Sequence, residues 1–187
     1  VAHYHGQIWN AAELARALAV NESTVRRYLD LMTGVFMVRQ LQPWFENLGK
    51  RQVKAPKVYV RDSGLLHALL GTGSARDLEL HPKVGASWEG YAVEEVLKAL
   101  RPDAAYYWAT HGGAEIDLVL FRGRRRIGVE CKRSDAPGMT ASMHIALTDL
   151  KLDELIVVYP GQRRYRLAKQ VEVIPLAEFV GAPRNRS

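Results

Sequence analysis

Cysteine is nearly absent from this chain of 187 residues. Cys131 is its single thiol, so no disulfide can form within it. A fold built without cross-links suits a reducing cytoplasm. Long apolar runs are also missing. No stretch approaches the ~20 residues that a helix needs to cross a bilayer, which excludes a helical membrane span. The chain opens on "VAHYHGQIWN", with neither an initiator Met nor a signal peptide and already in helix-like sequence. It is therefore expected to be a piece cut from a longer protein. Repeats and low-complexity segments are absent. So is any GxxxxGK(S/T) motif, which leaves no Walker lysine to cradle a nucleotide.

What is present describes an ordinary globular chain, with 48% hydrophobic and 25% charged residues. Its length suffices for one large domain or two small ones with a real core. The net charge of +6 favours an anionic partner. Residues 1–80 carry 10 Lys+Arg against 7 Asp+Glu, and residues 81–187 carry 16 against 13, so the excess is not confined to one tail.

"NAAELARALAVNESTVRRYLDLM" contains two helical patterns separated by a tight polar turn. Asn10 and Glu13 are spaced as an N-cap and its capping-box partner. Asn21 or Ser23 caps the second helix, and Gly34 ends it. Val20 in the turn and small Ala15 against Val25 fit helix-turn-helix packing. "VFMVRQLQPWF" and "KVYVRD" then alternate like strands, joined by the basic loop "NLGKRQVKAPK". This order reads as a winged helix-turn-helix over residues 1–80. Asp62 caps a short helix, "SGLLHALLG", that Gly71 stops. The polar stretch "TGSARDLELHPKVGAS" places the domain boundary near residue 80.

The remainder, 81–187, begins with an amphipathic helix at "SWEGYAVEEVLKAL", with Ser87 as its cap. Strand patterns follow at "AAYYWATHG", "AEIDLVLF" and "RIGVECK", then a helix at "GMTASMHIALTDL" and a doubly buried strand at "ELIVVYP". Weaker strands close the chain. The fold class is α/β (α+β), with a mixed central sheet.

Four charged residues interrupt the second and third of these strands. With Gly123-Arg124 as a two-residue type II′ turn, paired positions sum to 247. Asp117 then falls opposite Glu130, and Glu115 opposite Lys132, with all four on one face. Ile116, Leu118, Leu120, Ile127, Val129 and Cys131 fall on the other. Facing carboxylates repel within a sheet, and a hard divalent cation reverses that sign. A lysine beside such an ion can stabilise charge developing on a phosphate. In the preceding helix, Glu89 shares the line of Val93, Val96 and Leu100 and is expected to aim at the sheet. Glu94 falls on the opposite face, spaced to pair with Lys98 in solvent. The alternative is structural: a Glu115–Lys132 ion pair, with Asp117 and Glu130 accessible at a sheet edge.

The pattern "E…IDLV…ECK" resembles the PD-(D/E)xK nuclease superfamily, whose core is helix, three strands, helix, strand. The resemblance implies a catalytic set of Asp117, Glu130 and Lys132, with Glu89 as the helical acid. It also implies Mg²⁺ (or Mn²⁺) held by Asp117 and Glu130. Ile116 stands where the literal "PD" would put proline. Over nearly its whole length, through "TVRRYLDLM", "KAPKVYVRDSGLLHALLG", "GASWEGYAVEEVL" and "GAEIDLVL…VECKRSDAP", the chain resembles the C-terminal region of a prokaryotic AAA+-type ATPase family. In that family a P-loop ATPase precedes a winged helix and a nuclease-like, restriction-endonuclease-like domain. ATP would then bind only the missing N-terminal module.

Together these readings imply a metal-dependent DNA phosphodiesterase. A non-catalytic DNA- or protein-binding module that targets or regulates the ATPase is the alternative. Arg26 and Arg27 on the second helix, Lys50, Arg51 and Lys54 in the wing loop, and Arg124 and Arg125 at the hairpin tip are the expected nucleic-acid contacts. No membrane partner is implied.

Overall fold

The computed structural model describes residues 1–46, 49 and 51–180, so Lys50 lies outside the described residues. They form two compact units. One comprises Val1–Leu41 with Ala55–Tyr91, the other Gln42–Lys54 with the chain from Ala92 onward.

In the first unit, helix α1 (Ala11–Leu18) is capped by Asn10, whose side chain accepts from the Glu13 amide. Its Nδ2 also donates to Glu13 Oε2 at 3.5 Å, a side-chain contact in place of the reciprocal backbone bond of a capping box. Ala19 takes a left-handed conformation, φ 52°, and turns the chain into helix α2 (Glu22–Gly34). Ala11, Ala15, Val25 and Leu29 from the two helices pack with Trp9, Val38 and Val58. Strand β1 (Gln7–Ile8) pairs with β3 (Lys57–Val60), which also pairs with β2 (Val38–Leu41), all antiparallel. The sheet order is β1-β3-β2. Strand β1 is too short for periodicity to reveal.

Asp62 caps α3 (Ser63–Leu70) through the Leu65 amide, and Gly71 ends it at φ 72°. The stretch expected to be a polar linker contains a further helix, α4 (Ala75–Leu80), capped by Ser74. Helix α5 (Val84–Leu100) starts three residues earlier than Ser87, so Ser87 is a buried helical residue and not a cap. Because α5 runs continuously through Tyr91, the compact units divide within it, whereas the polar stretch had placed the boundary near residue 80.

The second unit is built on a six-stranded mixed sheet of order β4-β5-β6-β7-β9-β8. Its strands are β4 (Ala104–Ala109), β5 (Glu115–Arg122), β6 (Arg125–Cys131), β7 (Glu154–Tyr159), β8 (Tyr165–Ala168) and β9 (Val171–Pro175). The pairs β4–β5, β5–β6 and β8–β9 are antiparallel, while β6–β7 and β7–β9 are parallel. Helix α6 (Ala141–Asp149), capped by Thr140, packs Met143 and Ala146 onto Ile116, Val119, Leu155 and Val157. Gln52 and Val53 of the stretch expected to be a wing loop, and Gln42 before it, bond to β4. Tyr107 donates its amide to Gln42 O at 3.0 Å, Val53 donates to Ala109 O at 3.0 Å, and the Trp108 indole donates to Gln52 Oε1 at 3.0 Å.

Candidate functional site

Hairpin β5–β6 turns at Gly123, whose φ of 57° needs no Cβ relief at glycine. Arg124 stays at negative φ, as type II′ geometry asks. Arg122↔Arg125, Leu120↔Ile127 and Leu118↔Val129 are partners, and each pair sums to 247 as expected. The ladder stops there. Asp117 and Glu130 stand one residue beyond its last pair. Glu115 and Lys132 lie past the end of this ladder, and on its other side Glu115 is partnered with Ala109 of β4.

A bulge explains the change. On β4 the partners of Tyr106 and Trp108 are Val119 and Ile116, so Asp117 and Leu118 together oppose Tyr107. An inserted residue breaks the two-residue alternation. Ile116 and Val119, three apart, join the same core cluster, which does not include Leu118. The expected row of four charges on one face, backed by Ile116, Leu118 and Leu120 on the other, is therefore interrupted at Asp117.

The bulge gives Asp117 a partner. Its Oδ2 accepts the Cys131 amide at 2.9 Å, standing in for a backbone carbonyl just where the ladder ends. Asp117 and Glu130 are each only 6% exposed. Two buried carboxylates are costly unless compensated. Lys132 compensates one of them, with Nζ 2.6 Å from Glu130 Oε1. Lys132 itself is fixed beyond the end of β6 by its amide, which donates to Val158 O at 2.8 Å. Its side chain is 37% exposed, so the ammonium joins a buried carboxylate to solvent. The second unit thus brings Asp117, Glu130 and Lys132 to one end of one hairpin.

Glu89 belongs to the first unit. Its Oε1 accepts from Lys57 Nζ at 2.9 Å and from Tyr59 Oη at 2.6 Å. Neither partner was evident from sequence, since a lysine and a tyrosine alternating in a short strand look like ordinary surface groups. Glu94 reverses the expectation. It is 4% exposed, and Lys98 instead pairs with Glu95 at 2.7 Å. Ala92, Val93 and Val96 are buried beside it, so α5 is covered over more of its circumference than one amphipathic stripe.

The donor set at the hairpin is hard oxygen, which suits Mg²⁺ or Mn²⁺. One or two carboxylates are enough when waters and phosphate oxygens complete the shell. Among the described residues no group of three or more His, Cys, Asp or Glu is arranged to hold a metal ion.

The basic residues are dispersed. Arg26 is exposed and 3.4 Å from Glu22, and Arg27 lies over the Tyr28 ring at 5.7 Å. Arg51 and Lys54 are exposed but belong to the second unit. Arg124 is exposed in the turn, and Arg125 is tied to Glu154 at 2.7 Å. Helix α2 also exposes Tyr28 (55%) and Leu31 (60%), beside an apolar groove of about 220 Å³ lined by Trp9, Leu14, Leu18, Val25 and Met32.

A family model described as Domain of unknown function (DUF4143) matches residues 84–179, and one described as Domain of unknown function (DUF8612) matches residues 1–76. Two curated proteins, from Mycobacterium tuberculosis and Mycobacterium bovis, each named as an uncharacterized protein, are 50% identical over 180 residues. The match covers 96% of this chain and 41% of each relative, so the chain spans less than half their length. No solved structure matches. Among the described residues no helix is long and apolar enough to cross a membrane.

Proposed function

The chain belongs to the family Domain of unknown function (DUF4143), and we propose that its second unit is a nuclease-like, metal-dependent phosphodiesterase module acting on DNA. The observation that carries this reading is the Glu130–Lys132 contact at 2.6 Å with Asp117, equally buried, on the facing strand. The element order of the unit, helix α5, strands β4 to β6, helix α6, strand β7, supports a restriction-endonuclease-like fold. Helices α1 and α2 followed by a small antiparallel sheet support a winged helix in the first unit. By the same resemblance, the longer protein carries an AAA+-type ATPase module.

Asp117 and Glu130 would hold Mg²⁺ or Mn²⁺. When bound, the ion polarises a phosphate oxygen and acidifies a water. Asp117 is oriented by the Cys131 amide, so its approach is set by the backbone. Lys132 pairs with Glu130 and offers its exposed ammonium to the negative charge that grows on phosphate. Glu115, half-buried at the start of β5, takes an outer role. Glu89, the helical acid by the same resemblance, belongs to the first unit, where Lys57 and Tyr59 donate to its carboxylate.

A plasmid-nicking assay in Mg²⁺ or Mn²⁺ tests this reading. Wild type is expected to nick, and Asp117→Ala and Lys132→Ala are each expected to lower the rate by at least ~10²-fold. Cleavage that survives both substitutions rejects the site.

The exposed Tyr28 and Leu31 favour a second reading for the first unit, a protein-binding module that targets or regulates the ATPase. Major-groove readers present polar side chains to base edges, and an apolar groove suits a protein segment better. A salt-dependent gel shift that Arg26→Ala with Arg27→Ala weakens would restore the DNA reading for this unit.

A further inference from the structure

Helices α3 and α4 and the first-unit part of α5 line an open pocket of about 210 Å³. Its walls are mostly apolar, from Leu78, Val84, Trp88 and Tyr91. Two polar side chains at the pocket meet each other: His67 Nε2 lies 2.7 Å from Ser87 Oγ. Ser63 and His67 on α3 are four apart, and Val84, Ser87, Trp88 and Tyr91 recur along one side of α5, so regular helix geometry delivers all of them to one place.

We propose that Ser87 and His67 are a nucleophile and its base, and that the pocket takes a short apolar acyl ester. Three features carry the assignment. The Ser–His distance is the one required for proton transfer between a hydroxyl and an imidazole. Ser87 stands in the first turn of a 17-residue helix, where the helix dipole favours negative charge. Trp88 Nε1, on the adjacent residue, is buried and has no hydrogen-bond acceptor among the described residues. An unmatched buried donor costs about 1–3 kcal/mol, so a ligand whose oxygen reached it would gain that hydrogen bond.

The chemistry closes. With its proton on Nδ1, His67 accepts the Ser87 hydroxyl proton at Nε2 as Oγ bonds to the acyl carbon. Collapse of the tetrahedral adduct breaks the ester C–O bond, and His67 returns the proton to the departing alcohol. A water deprotonated by the same imidazole then cleaves the acyl–Ser87 bond, releasing the carboxylic acid and restoring both residues.

A fluorophosphonate tests the pair directly, because it transfers phosphorus to an activated serine with loss of fluoride. Wild-type protein is expected to gain one adduct, mapped to Ser87 by peptide mass. Ser87→Ala removes it, and His67→Gln slows labelling by at least ~10²-fold. Circular dichroism checks that both variants are folded. A hydrogen bond that only fastens α3 to α5 gives no adduct. Folded wild type that stays unlabelled, or His67→Gln labelled at the wild-type rate, overturns the proposal. Neither result bears on the phosphodiesterase reading, which uses different residues.

Discussion

Lys57 Nζ sits 2.9 Å from Glu89 Oε1, with the lysine side chain only 5% exposed. Removing one partner of such a pair strands the other charge, whereas removing both does not. Lys57→Met is expected to lower stability by about 3 kcal/mol. The double variant Lys57→Met/Glu89→Leu should recover most of the loss. Urea midpoints measured for the three proteins check this.

His5 is 1% exposed, with Nδ1 accepting from the Val60 amide at 3.0 Å and Nε2 3.0 Å from Ala86 O. Burial pushes its pKa down from 6.5 to about 4. The folded state therefore keeps the ring neutral while the unfolded chain protonates it. Stability is full above pH ~6.5 and declines as pH falls toward 4, by on the order of 2–3 kcal/mol. His5→Gln should be less stable at pH 7 and should show a flatter profile over that window.

The same ring explains Gly90. A Cβ there would lie 2.3 Å from His5 Nε2 and 2.5 Å from His5 Cε1. Because the imidazole is held at both nitrogens, it cannot move aside. Gly90→Ala is expected to cost about 3 kcal/mol, at the upper end of overpacking. Adding His5→Ala should return part of it, and the coupling energy from thermal melts decides.

Arg126 stands close to the exposed hairpin tip, in a run of three arginines with Arg124 and Arg125. Its Nη1 reaches Glu46 Oε2 at 2.6 Å and donates to Leu150 O, while the guanidinium lies 5.5 Å from the Trp44 ring and 5.3 Å from the Phe121 ring. Arg126→Ala should cost about 2 kcal/mol, and exposed Arg124→Ala should stay within about 0.5 kcal/mol of wild type. Equal midpoints for the two variants would contradict this difference.

Local physics made much of this molecule legible. Asn10, Asp62, Gly71 and Gly123 all do what their side chains or backbone freedom dictate over a few residues. The hairpin register was readable because a two-residue turn fixes it. The bulge at Asp117 was not, since it depends on how β5 meets β4, a partner distant in sequence. Glu94 and Ser87 escaped for the same reason. Their i,i+4 and N-cap signals are local, while their burial comes from tertiary packing around α5. Gln52 and Val53 lie in a basic stretch, 47–57, that looked like a wing because its charges are visible and the bonds of these two residues to β4 are not.

Manganese titration followed by electron paramagnetic resonance tests the central claim most directly, because it reads metal binding without any substrate. The account predicts saturable Mn²⁺ binding that Asp117→Asn abolishes, even though the amide side chain can still accept the Cys131 N–H, and that Lys132→Ala retains. No saturable binding, or binding unchanged in Asp117→Asn, would contradict it.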